Sequence, residues 1–238
     1  MSEFKEKQWQ GKKWYCYGTS MTDCIPCTGT IGYLPDKSPN SGRTGYYAQY
    51  LAEYAGLEEH NFGRAGKGII PSLYEEDDIV KTRVMTLSDG KAEADLITVE
   101  VIPNDDVKGK LGEITDWSDD TFCGNLNQML EYLLSNTKAY VAILIATRAR
   151  YNPDDLSEEY TPASNHVQTR LIWEEAVQKI CSMHGVPCWN GASEAGLGYY
   201  RVGKETTYMK DQIHLAEEGG KVLAKYYWGK LKNVYPVK

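Results

Sequence analysis

The sequence predicts an α/β protein with a parallel central sheet covered by helices on both faces. Two runs, DLITVEVI (Asp95 to Ile102) and YVAILIA (Tyr140 to Ala146), carry apolar or β-branched residues at both odd and even positions, as a strand buried on both faces requires. Such runs alternate along the chain with longer stretches whose apolar residues recur at helical spacing. Strand-helix-strand alternation demands right-handed crossovers, which line up all strand carboxyl ends along one edge. Ligands of such sheets sit outside that edge. No internal repeat, low-complexity tract or composition break divides the 238 residues, so they are read as one domain, 1–238.

The elements follow in order. Trp14 to Tyr17 supplies four bulky residues for a short buried strand, which runs straight into Gly18, Thr19 and Ser20. GYYAQYLAEY, from Gly45 to Tyr54, has helical spacing and stops at Gly56, a residue suited to the left-handed conformation past a helix end. After Leu57, EEHNFGRAGKG reads as a second short strand entering a glycine-rich loop, and a mixed helical stretch follows from Leu73 to Leu87. Asp95 to Ile102 is the clearest strand. Phe122 to Leu134 is helical, with Asn125, Gln128 and Glu131 on one side and Leu126, Met129, Leu130 and Leu133 on the other. Tyr140 to Ala146 is a strand, Val167 to His184 a long helix, Val186 to Trp189 a strand, and Leu215 to Leu231 a helix. The loops at the ligand edge therefore begin at Gly18, near Gly63, at Pro103, after Ala146 and after Trp189.

Composition narrows the function. A formal charge of -7 with 26 scattered Lys and Arg gives no basic stripe, which argues against a nucleic-acid partner. Tyr140 to Ala146, the longest apolar run, is too short to span a bilayer, and the N-terminus lacks the apolar region of a secretory signal, so no membrane partner is expected and the default address is the cytoplasm, with delivery by another route left open. The six cysteines (16, 24, 27, 123, 181 and 188) are read as thiols. Cys24 and Cys27 have metal-ligand spacing but no second pair to complete a zinc site. No metal and no cofactor is expected.

A serine hydroxyl where a strand ends is either a turn residue or a nucleophile, and Gly18-Thr19-Ser20 alone fits both. A nucleophilic serine needs a base, usually histidine because its pKa lies near about 6.5. His60 precedes a strand, His166 opens a helix and His184 ends one. His214 stands immediately before the last helix with Asp211 three residues upstream, a spacing that lets the carboxylate accept from one ring nitrogen and leaves the other for Ser20. An oxyanion needs donors, which a glycine-rich turn such as Asn61 to Gly66 can supply from its backbone and Asn104 from its side chain. Taken singly, Asn104 is equally an ordinary Asn-Asp turn. G-x-S-x-G is absent: Gly191-Ala192-Ser193-Glu194-Ala195 lacks the last glycine.

Taken in order, GTS at 18–20, N-x-x-x-x-G at 61–66, PND at 103–105 and D-x-x-H at 211–214 resemble the four blocks of the SGNH hydrolase superfamily, also called GDSL esterases and lipases, and TFCGNLNQMLEYL from Thr121 resembles the helix after the third block. The resemblance spans nearly the whole chain. It implies a three-layer α/β/α flavodoxin-like fold, with Ser20 as nucleophile, His214 as base oriented by Asp211, and an oxyanion hole of Ser20, Gly66 and Asn104. Three positions depart from the pattern: Thr19 stands where the blocks usually have Asp, Pro103 where Gly is usual, and Leu215 where Pro is frequent. Pro103 fixes φ and removes an N–H, so it bears on the shape of the loop carrying Asn104.

The implied activity is a serine carboxylic ester hydrolase acting on a small-molecule or carbohydrate ester, with acetyl esters expected because the loop from Cys24 to Tyr47 is rich in Gly, Pro, Ser and Thr and poor in large aliphatic residues. Tyr33, Trp117, Trp189 and Tyr199 are candidate faces for a sugar ring. Two other readings remain open here: a lipid acyl hydrolase or thioesterase with the same site, and a non-catalytic glycan-binding or structural protein of the same fold. The sequence does not give the oligomeric state.

Overall fold

The computed structural model describes residues 8–23, 47–74, 79–85, 93–147, 165–198, 207–210 and 213–234. Five strands, β1 (Lys13–Tyr17), β2 (Glu58–Asn61), β3 (Leu96–Glu100), β4 (Tyr140–Ile145) and β5 (Cys188–Asn190), form one sheet in the order β2-β1-β3-β4-β5. Every pair is parallel. This is the flavodoxin-like order, and chain direction across the sheet reverses between β1 and β3. In sheets of this order ligands bind in the crevice outside the strands' carboxyl ends at that switch point. Ser20 follows β1 and Asn104 follows β3, so both border it.

Alternation of side chains sends the strands' residues into two cores. Trp14, Cys16, Leu96, Ala142 and Leu144 pack with α2 (Tyr47–Ala55) and α8 (Glu217–Leu231) on one face. Tyr17, Ile97, Val99, Ile143 and Ile145 pack with α3 (Val80–Met85), α5 (Phe122–Asn136) and α6 (Asn165–His184) on the other. All of β3 is buried, with Thr98 and Glu100 as its buried polar residues. Helix α2 stops where Gly56 takes φ 69°, the left-handed residue anticipated from the sequence. Helix α5 starts at Thr121, whose side chain accepts from the Gly124 N–H.

Some expectations needed adjustment. Among the described residues, the stretch from Leu73 to Leu87 holds the end of a 3₁₀ turn, Pro71–Leu73, and the short α3. Three one-turn helices were not anticipated: α1 (Ser20–Asp23), α4 (Asp105–Lys108) and α7 (Gly191–Glu194). The polar side of α5 is divided, with Glu131 exposed, Gln128 half-buried and Asn125 turned inward. Asn125 is fully buried, and Lys81 of α3 donates to Asn125 Oδ1 and Gln128 Oε1, both at 2.6 Å, and to Asp119 at 3.0 Å. A buried ammonium with three acceptors is a cross-link between helices rather than a surface charge. No described helix is long and apolar enough to cross a membrane.

Candidate active site

The strand-to-turn junction at the end of β1 places Ser20 at the start of α1, 8% exposed, with its loop stitched to the one after β2. The Phe62 N–H donates to the Cys16 carbonyl at 2.8 Å and the Arg64 N–H to the Gly18 carbonyl at 2.7 Å. Asn61 makes the reciprocal contacts. Its Nδ2 donates to the Thr22 carbonyl at 2.8 Å, and its Oδ1 accepts from the Gly63 N–H at 2.9 Å, closing a local side-chain turn. Asp23 accepts from the Ala65 N–H at 3.0 Å. Together these bonds present Gly66, at φ 72° with open space where a side chain would stand, beside the serine's loop.

The loop after β3 settles the question raised by Pro103. The Asp105 N–H donates to the Ile102 carbonyl at 3.2 Å, closing a four-residue turn with Pro103 and Asn104 in the middle. Asn104 has φ 76°. A turn with Pro in its second place and a left-handed Asn in its third is of the type II kind, in which proline's fixed φ is pre-set and Asn tolerates positive φ better than most residues. Pro103 therefore shapes the turn instead of disrupting it. Ile102 also has positive φ, 89°, while fully buried, and for a β-branched residue this is real strain. Such strain persists only where surroundings over-determine it, and it concentrates at functional sites. Here Asp105, fully buried, accepts from the Ile69 and Ile70 N–H groups, and Arg170 of α6 donates to Asp106 at 2.8 Å in a buried ion pair. Asn104 Nδ2 itself donates to the Lys67 carbonyl at 3.1 Å, one residue past Gly66.

His214 arrives from the far end of the chain on a pinned loop. Met209 and Leu215 form an antiparallel bridge and are both buried in the core beside α8, the Lys210 N–H donates to the His214 carbonyl at 2.8 Å, and the Ala216 N–H donates to the Tyr208 carbonyl at 2.9 Å. Leu215 anchors this loop by its side chain where a proline would act through its ring. The result is His214 Nε2 3.0 Å from Ser20 Oγ, across 194 residues of sequence. A hydroxyl and an imidazole at that distance can exchange a proton directly. Asp211 lies outside the described residues, as do Cys24, Cys27, Tyr33 and Tyr199. His60 instead contacts Glu58, and His184 contacts Asn127 Oδ1, each at 2.9 Å.

One candidate sugar face is corrected. Trp189 is 4% exposed and packs against Tyr140 and Tyr227, so it is core. Trp117 is exposed, its ring edge-on to that of His184.

Sequence reasoning also missed a residue beneath the serine. Glu100, the last residue of β3, is fully buried and accepts from the Thr19 N–H at 2.7 Å, from the Thr19 hydroxyl at 2.9 Å and from the Thr22 hydroxyl at 3.3 Å. A lone acidic residue inside the apolar run LITVEVI was the available signal. Gly18 makes the approach feasible: a Cβ there would fall 2.6 Å from Glu100 Oε2. Burial pushes the Glu100 carboxyl up to about 7, against the hydrogen bonds that hold it down. A carboxyl raised on folding contributes stability below its ordinary range that is lost as pH rises through the folded value. Glu100→Gln escapes that loss, so its unfolding free energy relative to wild type should rise between about pH 4.5 and 7, measured by urea titration at a series of pH values.

The same contact explains Thr19. An aspartate there would set a second carboxylate against Glu100 in a buried site, where one of the two has to take a proton. Thr19→Asp should destabilise by about 3 kcal/mol or more above neutral pH and by less in acid, read from the same titrations.

No family model and no curated protein matches the sequence. Solved structures do resemble it. A protein from Lactobacillus plantarum is 20% identical, with 95% of this chain and 99% of that one covered at a TM-score of 0.72. A possible lipase from Chitinophaga pinensis is 16% identical over 93% and 98%, at 0.65. Axe2, an acetylxylan esterase from Geobacillus stearothermophilus, is 16% identical over 94% and 96%, at 0.59. With its parallel sheet in flavodoxin-like order and its likeness to these structures over nearly their whole length, the chain has the three-layer α/β fold of the SGNH hydrolases.

Proposed function

We propose that the protein is a serine carboxylic ester hydrolase that works through an acyl-serine intermediate. The observation that carries this reading is the 3.0 Å contact between His214 Nε2 and Ser20 Oγ at the switch point of the sheet. His214 takes the hydroxyl proton as Ser20 Oγ bonds to the acyl carbon, and the ester oxygen leaves with that proton as the alcohol. Water then attacks the acyl-serine, His214 accepts its proton, and the acid departs as Ser20 Oγ is reprotonated. Asp211 orients the imidazole. The negative charge that develops on the carbonyl oxygen meets the Ser20 and Gly66 N–H groups and the Asn104 amide. An amide nitrogen carries two hydrogens, so the bond from Asn104 to the Lys67 carbonyl leaves one for the oxyanion. A fluorophosphonate probe tests the reading: Ser20 should be labelled and its labelling lost in Ser20→Ala, and an unlabelled wild-type protein would reject it.

The substrate we propose is a short acyl ester, acetyl on a carbohydrate. Axe2 is an acetylxylan esterase, and the loop between Cys24 and Tyr47 has little aliphatic material from which to line a long acyl tunnel. In a p-nitrophenyl ester series, kcat/KM should be highest for acetyl, fall at butyryl and be poor at octanoyl. A steady rise to eight carbons would favour the lipid hydrolase instead.

A further inference from the structure

We propose that Glu100 is a positioning residue for the nucleophile, its buried carboxylate fixing the turn that aims Ser20 Oγ at His214. The inference rests on the reading of Ser20 as nucleophile. Three donors converge on this one side chain, the N–H and hydroxyl of Thr19 and the hydroxyl of Thr22, and they flank Ser20 on both sides in sequence. Thr19 is also the residue whose carbonyl closes the turn, accepting from the Thr22 N–H at 3.1 Å and the Asp23 N–H at 2.8 Å. The chain of bonds continues outward, since Thr22 Oγ1 lies 2.9 Å from the Tyr47 hydroxyl of α2. Ser20 thus sits on a turn tied to β3 through Glu100 and to α2 through Thr22.

Glu100 lies on the strand that leads into the Asn104 loop, four residues before Asn104, so one short segment sets both the serine's turn and the amide's position. The other titratable groups that bear on Glu100 are Arg170 of α6, whose guanidinium favours the carboxylate, and the buried phenols Tyr47 and Tyr227. Arg170 pairs with Asp106 just past Asn104, which links the same network to the third loop. All of these side chains are buried. Their effect on the reaction runs through the placement of Ser20.

The test is the rate of Ser20 labelling by a fluorophosphonate, together with kcat and KM for p-nitrophenyl acetate, in the full chain. Glu100→Ala removes the acceptor and should slow labelling and kcat about 10- to 100-fold with KM nearly unchanged, the scale of loss that displacement of a reacting atom produces. Glu100→Gln retains, in the place of Oε2, an acceptor for the Thr19 N–H and the Thr22 hydroxyl, while its amide nitrogen, in the place of Oε1, donates to the Thr19 hydroxyl, and it should recover most of the rate. Thr19→Val keeps Glu100 and the N–H but loses one hydroxyl, giving an intermediate loss, and it carries the test if Glu100→Ala does not fold by circular dichroism. Labelling of wild type and variants at equal rates per folded molecule overturns the positioning role while leaving the nucleophile assigned. Absence of labelling in wild type overturns both. A loss in Glu100→Ala that Gln does not restore at all, with Thr19→Val unaffected, also rejects it.

Discussion

Ser20→Ala should lower the hydrolysis of an activated acetyl ester by several orders of magnitude, His214→Ala should do nearly the same, and the double variant should be little worse than either. On the proposed mechanism nucleophile and base act as one unit, because the proton that His214 would remove is the one whose departure makes Ser20 Oγ reactive. Once either is gone, the remaining rate comes from binding and the oxyanion donors, so the losses do not add. Neither side chain stabilises the fold enough to confuse the result: Ser20 opens a single helical turn, and the His214 loop is held by Met209, Leu215 and two backbone bonds. Circular dichroism should be unchanged in all three variants. More than about a tenth of the activity surviving in Ser20→Ala would reject the assignment.

The second large effect is at Asn104, and the left-handed backbone there dictates the choice of substitutions. Asn104→Gly keeps φ 76° without strain and removes only the amide, whereas Asn104→Ala also forces a Cβ into a conformation that costs about 1 kcal/mol. Both should lower kcat by about 10² to 10³, roughly 3 to 4 kcal/mol of lost transition-state stabilisation, with little change in KM, because the contact forms mainly as charge develops. Only the alanine variant should lose thermal stability beyond the bond to the Lys67 carbonyl. If Asn104 serves solely as a cross-link to that carbonyl, kcat stays near wild type in the glycine variant, and the oxyanion role fails.

Much of the architecture was legible because its signals are local or periodic. Asp95 to Ile102 and Tyr140 to Ala146 declare themselves as strands buried on both faces, and Gly56 marks a helix end through a conformation that other residues avoid. The serine block, the glycine-rich turn and the Asn104 turn are each a few consecutive residues, which is why they can be seen in sequence at all. Asn125 and Gln128 illustrate the limit. Their shared side of the helix was readable from spacing, but its occupant, Lys81, lies 44 residues from Asn125 in sequence and belongs to a helix too short to show clear periodicity. Trp189 failed for a related reason: an aromatic residue reads the same in sequence whether it faces a ligand or a core.

From the chain alone came the α/β class, the strand order of events along the sequence and the identity of a serine, an asparagine and a histidine as candidates for one reaction, because residue type and neighbouring residues determine strand, turn and side-chain chemistry. That the histidine meets the serine was decided only by the tertiary structure. The parallel sheet carries the loops after β1 and β3 to one edge, and the buried Met209 and Leu215 hold His214 against Ser20 from 194 residues away. It also decided the departures. Thr19 answers to Glu100 across two paired strands, and Pro103 presets the turn of Asn104. A hydrogen bond is satisfied by proximity in space, and proximity in space is what packing, not local sequence, supplies.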